Sequence, residues 1–137
     1  MKKNLILVCI FVLSFAFVSC GSSSGGGGNY DIYMVQINFP GQEIVPAGTG
    51  TIFSVTLRKN GKEVDSSDVT VSTFKDSGIG QLRIWNSGGS IDIQSDKITK
   101  KYGEITDCRF GAVSGTGKFG FTATYKGVTA TVTFKTN

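Results

Sequence analysis

Hydrophobic and polar residues alternate with a period of two through most of the chain. Residues 33–39 follow this pattern, and residues 51–59 place Phe53, Val55 and Leu57 on one side and polar or charged residues on the other. Successive side chains of a β-strand point to opposite sides, so this alternation is typical of a strand with one buried face. Both segments are therefore predicted to be half-buried strands.

A turn signal follows the second of these segments. Asn60-Gly61 favours positive φ angles at both positions, which is the geometry of the two-residue turn that reverses a β-hairpin. Helical periodicity does not compete with alternation in the segments that follow, so the domain is predicted to be all-β. Further strands are predicted at residues 69–74, 82–85 and 91–93 and around residues 105–110. A Gly88-Gly89 turn precedes the strand at residues 91–93.

The C-terminal residues carry the clearest pattern. Apolar residues alternate with lysine and threonine in residues 118–125, and alternation resumes in residues 128–135 after a Lys126-Gly127 turn. This predicts a hairpin with one apolar face and one threonine-rich face in water. Because the apolar face must be covered by a second sheet, we predict an antiparallel β-sandwich.

The first residues have a different pattern, that of a secretory signal. Lys2 and Lys3 precede a stretch that stays apolar as far as Val18, interrupted after Leu5 only by Ser14. The apolar centre is shorter than the roughly 20 residues that a membrane-spanning helix needs. Residues 1–19 are therefore predicted to be a signal peptide that is cleaved off.

The sequence Phe17-Val18-Ser19-Cys20-Gly21 ends this stretch and resembles the lipobox of bacterial lipoproteins. The resemblance implies that the Cys20 thiol carries diacylglycerol and that cleavage makes Cys20 the first residue of the mature protein. It also implies acylation of the Cys20 amino group, as in N-palmitoyl cysteine. Phe17 departs from the Leu usual at that position. The alternative is an ordinary secreted protein with an incidental cysteine.

Residues 20–29 consist of Cys20 and the run GSSSGGGGN, a composition typical of a flexible tether. Nine residues of this kind have a root-mean-square span of about 15 to 18 Å. The folded domain, residues 30–137, is therefore expected close to the membrane. Gly21 lacks the aspartate associated with inner-membrane retention, so the expected location is the outer membrane, on its periplasmic or its surface side.

Cysteine usage bears on the fold. Cys9 leaves with the signal and Cys20 is expected to carry lipid, so Cys108 has no partner for a disulfide within the chain. Alternation places Cys108 on the same side as Phe110, where a free cysteine acts as a small hydrophobic residue. Cys108 is therefore predicted to be buried. The alternative is an exposed thiol that forms an intermolecular disulfide.

Two segments resemble a known family. FSVTLRKNGKEVDSSDVTVST, residues 53–73, looks like the second strand, turn and third strand of a bacterial immunoglobulin-like (Big) domain, and GTGKFGFTATYKGVTATVTFKTN, residues 115–137, looks like its last two strands. The similarity covers roughly residues 32–137. It implies an immunoglobulin-like antiparallel β-sandwich that acts in adhesion or interaction at the cell envelope. It transfers no catalytic or binding residue.

The anchor and this resemblance together imply a monomeric, non-catalytic module that binds a protein or glycan of the envelope. One domain on a short tether reaches partners near its own membrane more easily than a host receptor, so host adhesion is the second hypothesis. A third hypothesis is inhibition of an envelope hydrolase through loops such as residues 75–81 and 86–90.

Composition argues against several other classes. The chain has 14 Lys and Arg against 10 Asp and Glu, and loss of Lys2 and Lys3 lowers its net charge from +4 to +2, so nucleic acid is not an expected partner. Histidine, the commonest general base, does not occur in the chain. Gly115 to Gly120 fits G-x-G-x-x-G, but a predicted strand rather than a helix follows it. Neither an enzymatic activity nor a cofactor is expected.

Two groups of residues are candidate ligand contacts. Basic charge is combined with an aromatic ring in Lys97, Lys100, Lys101 and Tyr102, which would suit an acidic glycan, a phosphate group or a nucleic-acid strand, although no series of stacking aromatic residues supports the last. Lysines on a strand edge more often prevent edge-to-edge pairing. Trp85, near a hairpin end, either caps the sandwich, which is the favoured interpretation, or stacks on a sugar or peptide.

Asp65, Asp68 and Asp76 lie around turns, and carboxylates at one end of a sandwich are possible calcium ligands. Their spacing forms no calcium-loop motif, and turn aspartates commonly hydrogen-bond their own backbone. No metal site is therefore predicted.

Overall fold

The computed structural model describes residues 30–137; the predicted signal peptide, Cys20 and the glycine-serine segment lie outside the described residues. None of the described helices has the length and hydropathy needed to cross a membrane. The elements are β1 Tyr33–Asn38, β2 Thr51–Ile52, β3 Ser54–Lys59, β4 Lys62–Val64, β5 Thr70–Lys75, β6 Leu82–Trp85, β7 Asp92–Ser95, β8 Thr99–Lys101, a 3-10 helix Tyr102–Glu104, β9 Arg109–Ala112, β10 Gly117–Tyr125 and β11 Val128–Thr136.

One layer of the fold is organised around residues 51–59. β3 pairs antiparallel with β1 and β4, whereas β2, which precedes β3 in the same run, pairs with β9. β9 continues the layer through β6 to β7. Thr51, Phe53, Val55 and Leu57 are all buried, so the predicted alternation continues without interruption through both strands.

The second layer is a four-stranded antiparallel sheet in the order β11-β10-β5-β8. The predicted C-terminal hairpin forms one side of this sheet, with β11 at the edge, and it places Phe119 opposite Phe134 and Phe121 opposite Val132. All four of these side chains point inward and are buried. The apolar face predicted from the alternation is thus the inner face of this sheet.

The chain passes from one layer to the other soon after β1. Beyond Pro40, the main chain around Ile44 runs parallel to the end of β11, where the Lys135 N–H donates to the Glu43 carbonyl at 2.8 Å and the Val45 N–H donates to the Lys135 carbonyl at 2.9 Å. With β1, β2/β3, β9 and β6 in one layer and β5, β10 and β11 in the other, the strand order matches the A-B-E-D and C-F-G sheets of an immunoglobulin-type sandwich. The predicted all-β sandwich is confirmed.

Phe110 joins the two layers in the core. Its ring lies on β9 of the first layer and meets the rings of Phe119, Phe121 and Phe134 of the second at centroid distances of 5.4, 5.3 and 6.3 Å. All four residues are at most 1% exposed. Aromatic pairs in such tilted arrangements contribute about 0.5–1.5 kcal/mol each beyond the area that they bury.

Both predicted hairpin turns have the expected backbone. Asn60 and Gly61 have φ angles of 51° and 80°, and Lys126 and Gly127 have φ angles of 46° and 80°. Positive φ at both central residues matches the right-handed twist of the flanking strands, which is why this turn closes two-residue hairpins.

The predicted strand around residues 105–110 is wrong in its first half. The 3-10 helix precedes this segment, and Asp107 has a φ of 58°, a left-handed conformation that a strand does not contain. The strand begins only at Arg109. Ile105 is nevertheless fully buried, because the turn packs it into the core without strand pairing.

Candidate functional site

Cys20, the predicted lipid attachment site, lies outside the described residues. Cys108 is described, and it is free and 1% exposed, which confirms the predicted burial. Its Sγ lies 3.6 Å from the Thr106 carbonyl. Burial raises the pKa of the Cys108 thiol, and the nearby Asp107 raises it further, because both disfavour the thiolate. Cys108 is therefore a protonated core residue.

The structure separates Tyr102 from the neighbouring lysines. Its ring is 9% exposed and lies 6.3 Å from the ring of Phe53 in the core, and burial raises the pKa of its hydroxyl. Lys100 and Lys101 lie on β8, an edge strand, as expected for lysines that prevent edge pairing. The predicted surface that combines these lysines with the Tyr102 ring is therefore not formed.

The β8 lysines instead hold local structure. Lys100 forms a salt bridge with Glu104, with Nζ 3.4 Å from Oε1, and Lys101 donates from Nζ to the Asp68 carbonyl at 3.0 Å. Glu104 also accepts from the Lys101 backbone N–H at 2.9 Å. Lys97 is exposed beside them.

Trp85, the last residue of β6, lies on the outer face of the first layer. Leu82 and Ile84 of β6 are buried, so Arg83 and Trp85 point outward. The Arg83 guanidinium lies 4.8 Å from the centre of the Trp85 ring. The ring also lies against Gly50, where a Cβ would collide with it. The Trp85 ring therefore covers the outer face of this layer at the end of β6.

Arg83 is held in place over this ring by Asp92. Two hydrogen bonds of 2.8 Å join Nε to Oδ1 and the terminal guanidinium nitrogen to Oδ2. The Arg83 guanidinium lowers the pKa of Asp92, and the Asp92 carboxylate raises the pKa of Arg83. Bidentate geometry fixes the orientation of the guanidinium plane.

A cleft lies beside Trp85 on this face. It has a volume of about 40 Å³ and is lined by Gly48, Thr49, Arg83, Trp85, Ala112 and Val113. Sites that enclose a small molecule have volumes of about 300–1,000 Å³, whereas a space of this size holds a few waters at most. The cleft therefore does not enclose a ligand.

The three turn aspartates do not converge. Asp65 accepts from the Ser67 N–H at 2.9 Å and from the Ser67 hydroxyl at 2.6 Å, contacts that lower its pKa. Asp76 accepts from the Lys118 N–H at 2.8 Å on another part of the molecule. Residues 30–137 contain no group of three or more Cys, Asp and Glu side chains placed to bind a metal ion.

A different surface emerges from the strand pairing. The outer side of the β11-β10-β5-β8 sheet, here called the hydroxyl face, carries aligned hydroxyl groups across four strands. Thr131 pairs with Thr122, Thr122 with Ser72, and Ser72 with Thr99, which makes one continuous row. The face consists of Thr70, Ser72, Phe74, Thr99, Lys101, Lys118, Gly120, Thr122, Thr124, Thr129, Thr131, Thr133 and Lys135.

Phe74 is the large apolar residue of the hydroxyl face, and 37% of it is exposed. It lies opposite Gly120 on β10, and a Cβ built on Gly120 would be only 2.7 Å from the Phe74 Cζ atom. The ring therefore lies across the sheet in the space that a side chain at residue 120 would occupy. An aromatic ring held in this way presents its other side to solvent.

Two lysines occupy the next row of the same face. Lys118 and Lys135 are direct cross-strand partners, one row from Gly120 and its partner Thr133. Both are exposed, and within residues 30–137 no carboxylate forms a salt bridge with either ammonium group. Like charges placed directly opposite on one face repel each other. The hydroxyl face thus has a concentrated positive charge at one end.

The sequence pattern predicts part of the hydroxyl face. Alternation predicts the threonines of the C-terminal hairpin on a wet face, but the contributions of β5 and β8 follow only from strand pairing. The positions of Phe74, Lys118 and Lys135 relative to each other have no local signal, because they lie on three different strands.

Comparisons with protein-family models, with curated proteins and with solved structures find no match to this chain. Function is therefore inferred from the chemistry of the described surfaces and from the motifs of the sequence.

Proposed function

We propose that this protein is a lipid-anchored envelope lipoprotein whose β-sandwich binds another component of the cell envelope without catalysis. The observation that carries the binding role is the hydroxyl face. There the exposed ring of Phe74 lies among aligned hydroxyls, one row from two lysines that form no salt bridge within residues 30–137. Exposed aromatic residues framed by polar groups are typical of interaction sites.

The kind of surface supports binding of an extended partner. The hydroxyl face is an open sheet surface spanning four strands, and strands lie about 4.8 Å apart. Serine and threonine hydroxyls both donate and accept hydrogen bonds. Such a face suits a partner that lies across it, and it differs from the enclosed pockets that hold small substrates.

Anchoring is supported by the sequence around Cys20, which resembles a lipobox, and by the GSSSGGGGN run that separates it from the sandwich. Nine residues span at most about 30 Å when fully extended. β10, with nine residues, is also about 30 Å long. A domain of this size on such a tether meets partners within the envelope, which favours an envelope component over a host receptor.

Lipidation is tested by expression of the full chain in cells fed labelled palmitate. Wild-type protein is expected to take up label and to fractionate with membranes, and Cys20→Ala is expected to lose both properties. Cys108→Ala is the matched control, since that cysteine is buried in the sandwich and is expected to leave labelling unchanged. Unlabelled wild-type protein would contradict the anchor.

Binding is tested by crosslinking in intact cells, with a photoreactive amino acid placed at Phe74 on the hydroxyl face or at Glu63 on β4 of the other layer. A discrete adduct is expected from residue 74 and not from residue 63. Equal adducts from both positions, or none from residue 74, would contradict the proposed role of this face.

A further inference from the structure

We propose that the hydroxyl face binds a negatively charged glycan, with a sugar ring on Phe74 and a carboxylate or phosphate group between Lys118 and Lys135. This inference rests on the proposed binding function, because it names the chemistry of the partner for the same face. It does not depend on the lipid anchor.

The two lysines mark where the negative charge binds. Directly opposite residues of an antiparallel pair have Cβ atoms about 4.5–5.5 Å apart, so their flexible side chains reach a common anion. Two acidic residues adjoin the lysines through the main chain: the Asp76 carboxylate accepts a hydrogen bond from the Lys118 backbone N–H, and the Glu43 carbonyl accepts one from the Lys135 backbone N–H. Lys118 and Lys135 therefore lie directly opposite each other on neighbouring strands. Neither forms a salt bridge with an acidic side chain among the described residues.

The position of the aromatic ring selects a sugar as the carrier of that charge. Lys118 and Gly120 are two residues apart on β10, which corresponds to about 6.6 Å. The Phe74 ring lies over Gly120, so a sugar ring stacked on Phe74 has its substituents within reach of both lysine side chains. Aromatic rings at the surface bind the apolar side of such rings, and the polar edge remains free for hydrogen bonds.

The hydroxyl rows supply the remaining contacts. Ser72 and Thr99 share a hydrogen bond of 3.1 Å, and Thr124 and Thr129 share one of 3.0 Å. Each hydroxyl has one donor and two acceptor positions, so these pairs retain acceptor capacity toward solvent or a ligand. A glycan chain that extends from Phe74 across Thr122 and Thr131 meets such groups on successive strands.

The same features argue against a nucleic-acid strand. Proteins that bind single strands without sequence preference stack successive bases on several aromatic side chains along a basic groove. The hydroxyl face has one aromatic ring. Of its three lysines, Lys118 and Lys135 lie at one end of the face and Lys101 lies at the opposite corner. A glycan with sparse charge fits this arrangement better.

The test uses the mature chain from residue 20 with Cys20→Ser and two matched pairs of polysaccharides. Polygalacturonate is compared with its fully methyl-esterified form, and phosphomannan with dephosphorylated mannan, by isothermal titration calorimetry. At least one anionic member is expected to bind, and to bind at least about tenfold more tightly than its neutral counterpart. Which pair responds distinguishes carboxylate from phosphate.

Variants connect binding to the named residues. The double variant Lys118→Gln/Lys135→Gln is expected to weaken binding about tenfold and to reduce its dependence on salt. The control Lys62→Gln/Lys97→Gln removes the same charge from exposed lysines elsewhere and is expected to retain binding. Phe74→Ala is expected to weaken binding severalfold, and Phe74→Leu, which keeps an apolar side chain but no ring, is expected to do the same. Unchanged melting temperatures show that the lysine variants remain folded.

Three results would overturn this proposal: no binding by any anionic polysaccharide, equal binding by charged and neutral members of both pairs, or equal loss in the two double-lysine variants. A discrete protein adduct from residue 74 in cells, together with no glycan binding, would reject the glycan and leave the proposed binding function intact. Absence of both would reject both.

Discussion

The ring of Phe74 lies over Gly120, its cross-strand neighbour on β10. The two residues depend on each other, because the ring occupies the space that any side chain at residue 120 would need. A Cβ at residue 120 would also collide with the Val132 carbonyl of the next strand. The shape of the hydroxyl face is therefore set by a residue without a side chain.

Gly120→Ala is expected to destabilise the domain by about 2 kcal/mol, since overpacking in a close-packed region commonly costs about 1–3 kcal/mol. Urea unfolding measures this loss. In the Phe74→Ala background the cost of Gly120→Ala is expected to fall by about 1 kcal/mol, because the collision with the ring is removed. Gly88→Ala is the control: no atom lies within 4 Å of its Cβ position, and a change of less than about 0.5 kcal/mol is expected.

Phe110 is expected to be the most sensitive of the core positions that join the layers. Phe110→Ala removes a fully buried ring that contacts three other phenylalanines, and truncations of this kind cost about 3–5 kcal/mol. Phe74→Ala, at a position that is 37% exposed, is expected to cost about 1 kcal/mol. Similar losses from the two substitutions in denaturant unfolding would contradict the central position of Phe110.

The Arg83–Asp92 pair is expected to contribute to stability in a pH-dependent way. The Arg83 guanidinium holds the pKa of Asp92 below its ordinary value of 3.8. Because the folded state lowers this pKa, the contribution is fully present above the ordinary value and is lost as the pH falls through the lower folded-state pKa. The difference in melting temperature between wild type and Asp92→Asn is therefore expected at pH 6 and should decrease as the pH falls below 3.8.

Salt is expected to reduce that difference, because the Arg83 and Asp92 side chains are 36% and 46% exposed. Glu63→Gln, which removes an exposed carboxylate on β4, serves as the control. A difference for Asp92→Asn that stayed constant from pH 6 to pH 2 would show that the effect does not come from the carboxylate charge.

Cys108 is expected to resist modification as long as the domain is folded. In the mature chain with Cys20→Ser, maleimide is expected to label Cys108 at least about a hundredfold more slowly in buffer than in 8 M urea, because a buried thiol reacts only through opening of the structure. Mass spectrometry measures the rate. Rapid labelling in buffer, or an oxidant-induced dimer on a non-reducing gel, would contradict burial.

Much of the fold is predictable because its signals are local. The alternation in residues 51–59 and in the C-terminal hairpin specifies which side chains face inward, and Asn60-Gly61 and Lys126-Gly127 specify turns through their tolerance of positive φ. The short strands β4 and β8 are not predictable from alternation, because each has only three residues. The turn before Arg109 is not predictable from alternation either, because the left-handed backbone at Asp107 interrupts a sequence pattern that is otherwise typical of a strand.

The candidate binding residues also differ in how far the sequence predicts their arrangement. Lys100, Lys101 and Tyr102 are neighbours in sequence, and only the packing of the 3-10 helix shows that the ring of Tyr102 turns into the core. Phe74, Gly120 and the Lys118–Lys135 pair are distant in sequence, and strand register brings them together.

The sequence by itself determined the half-buried strands, their turns, the burial of Cys108 and the resemblance of Cys20 to a lipidation site, because period-two alternation and short motifs act over a few residues. Only the tertiary structure decided which strands are neighbours, and therefore which outward-facing side chains form one surface. The residue types at the outward positions of a strand do not indicate which strands lie beside it, because water can hydrogen-bond these side chains in any register. The residue types at the inward positions do restrict the strand register, because few registers allow their side chains to pack closely in the core.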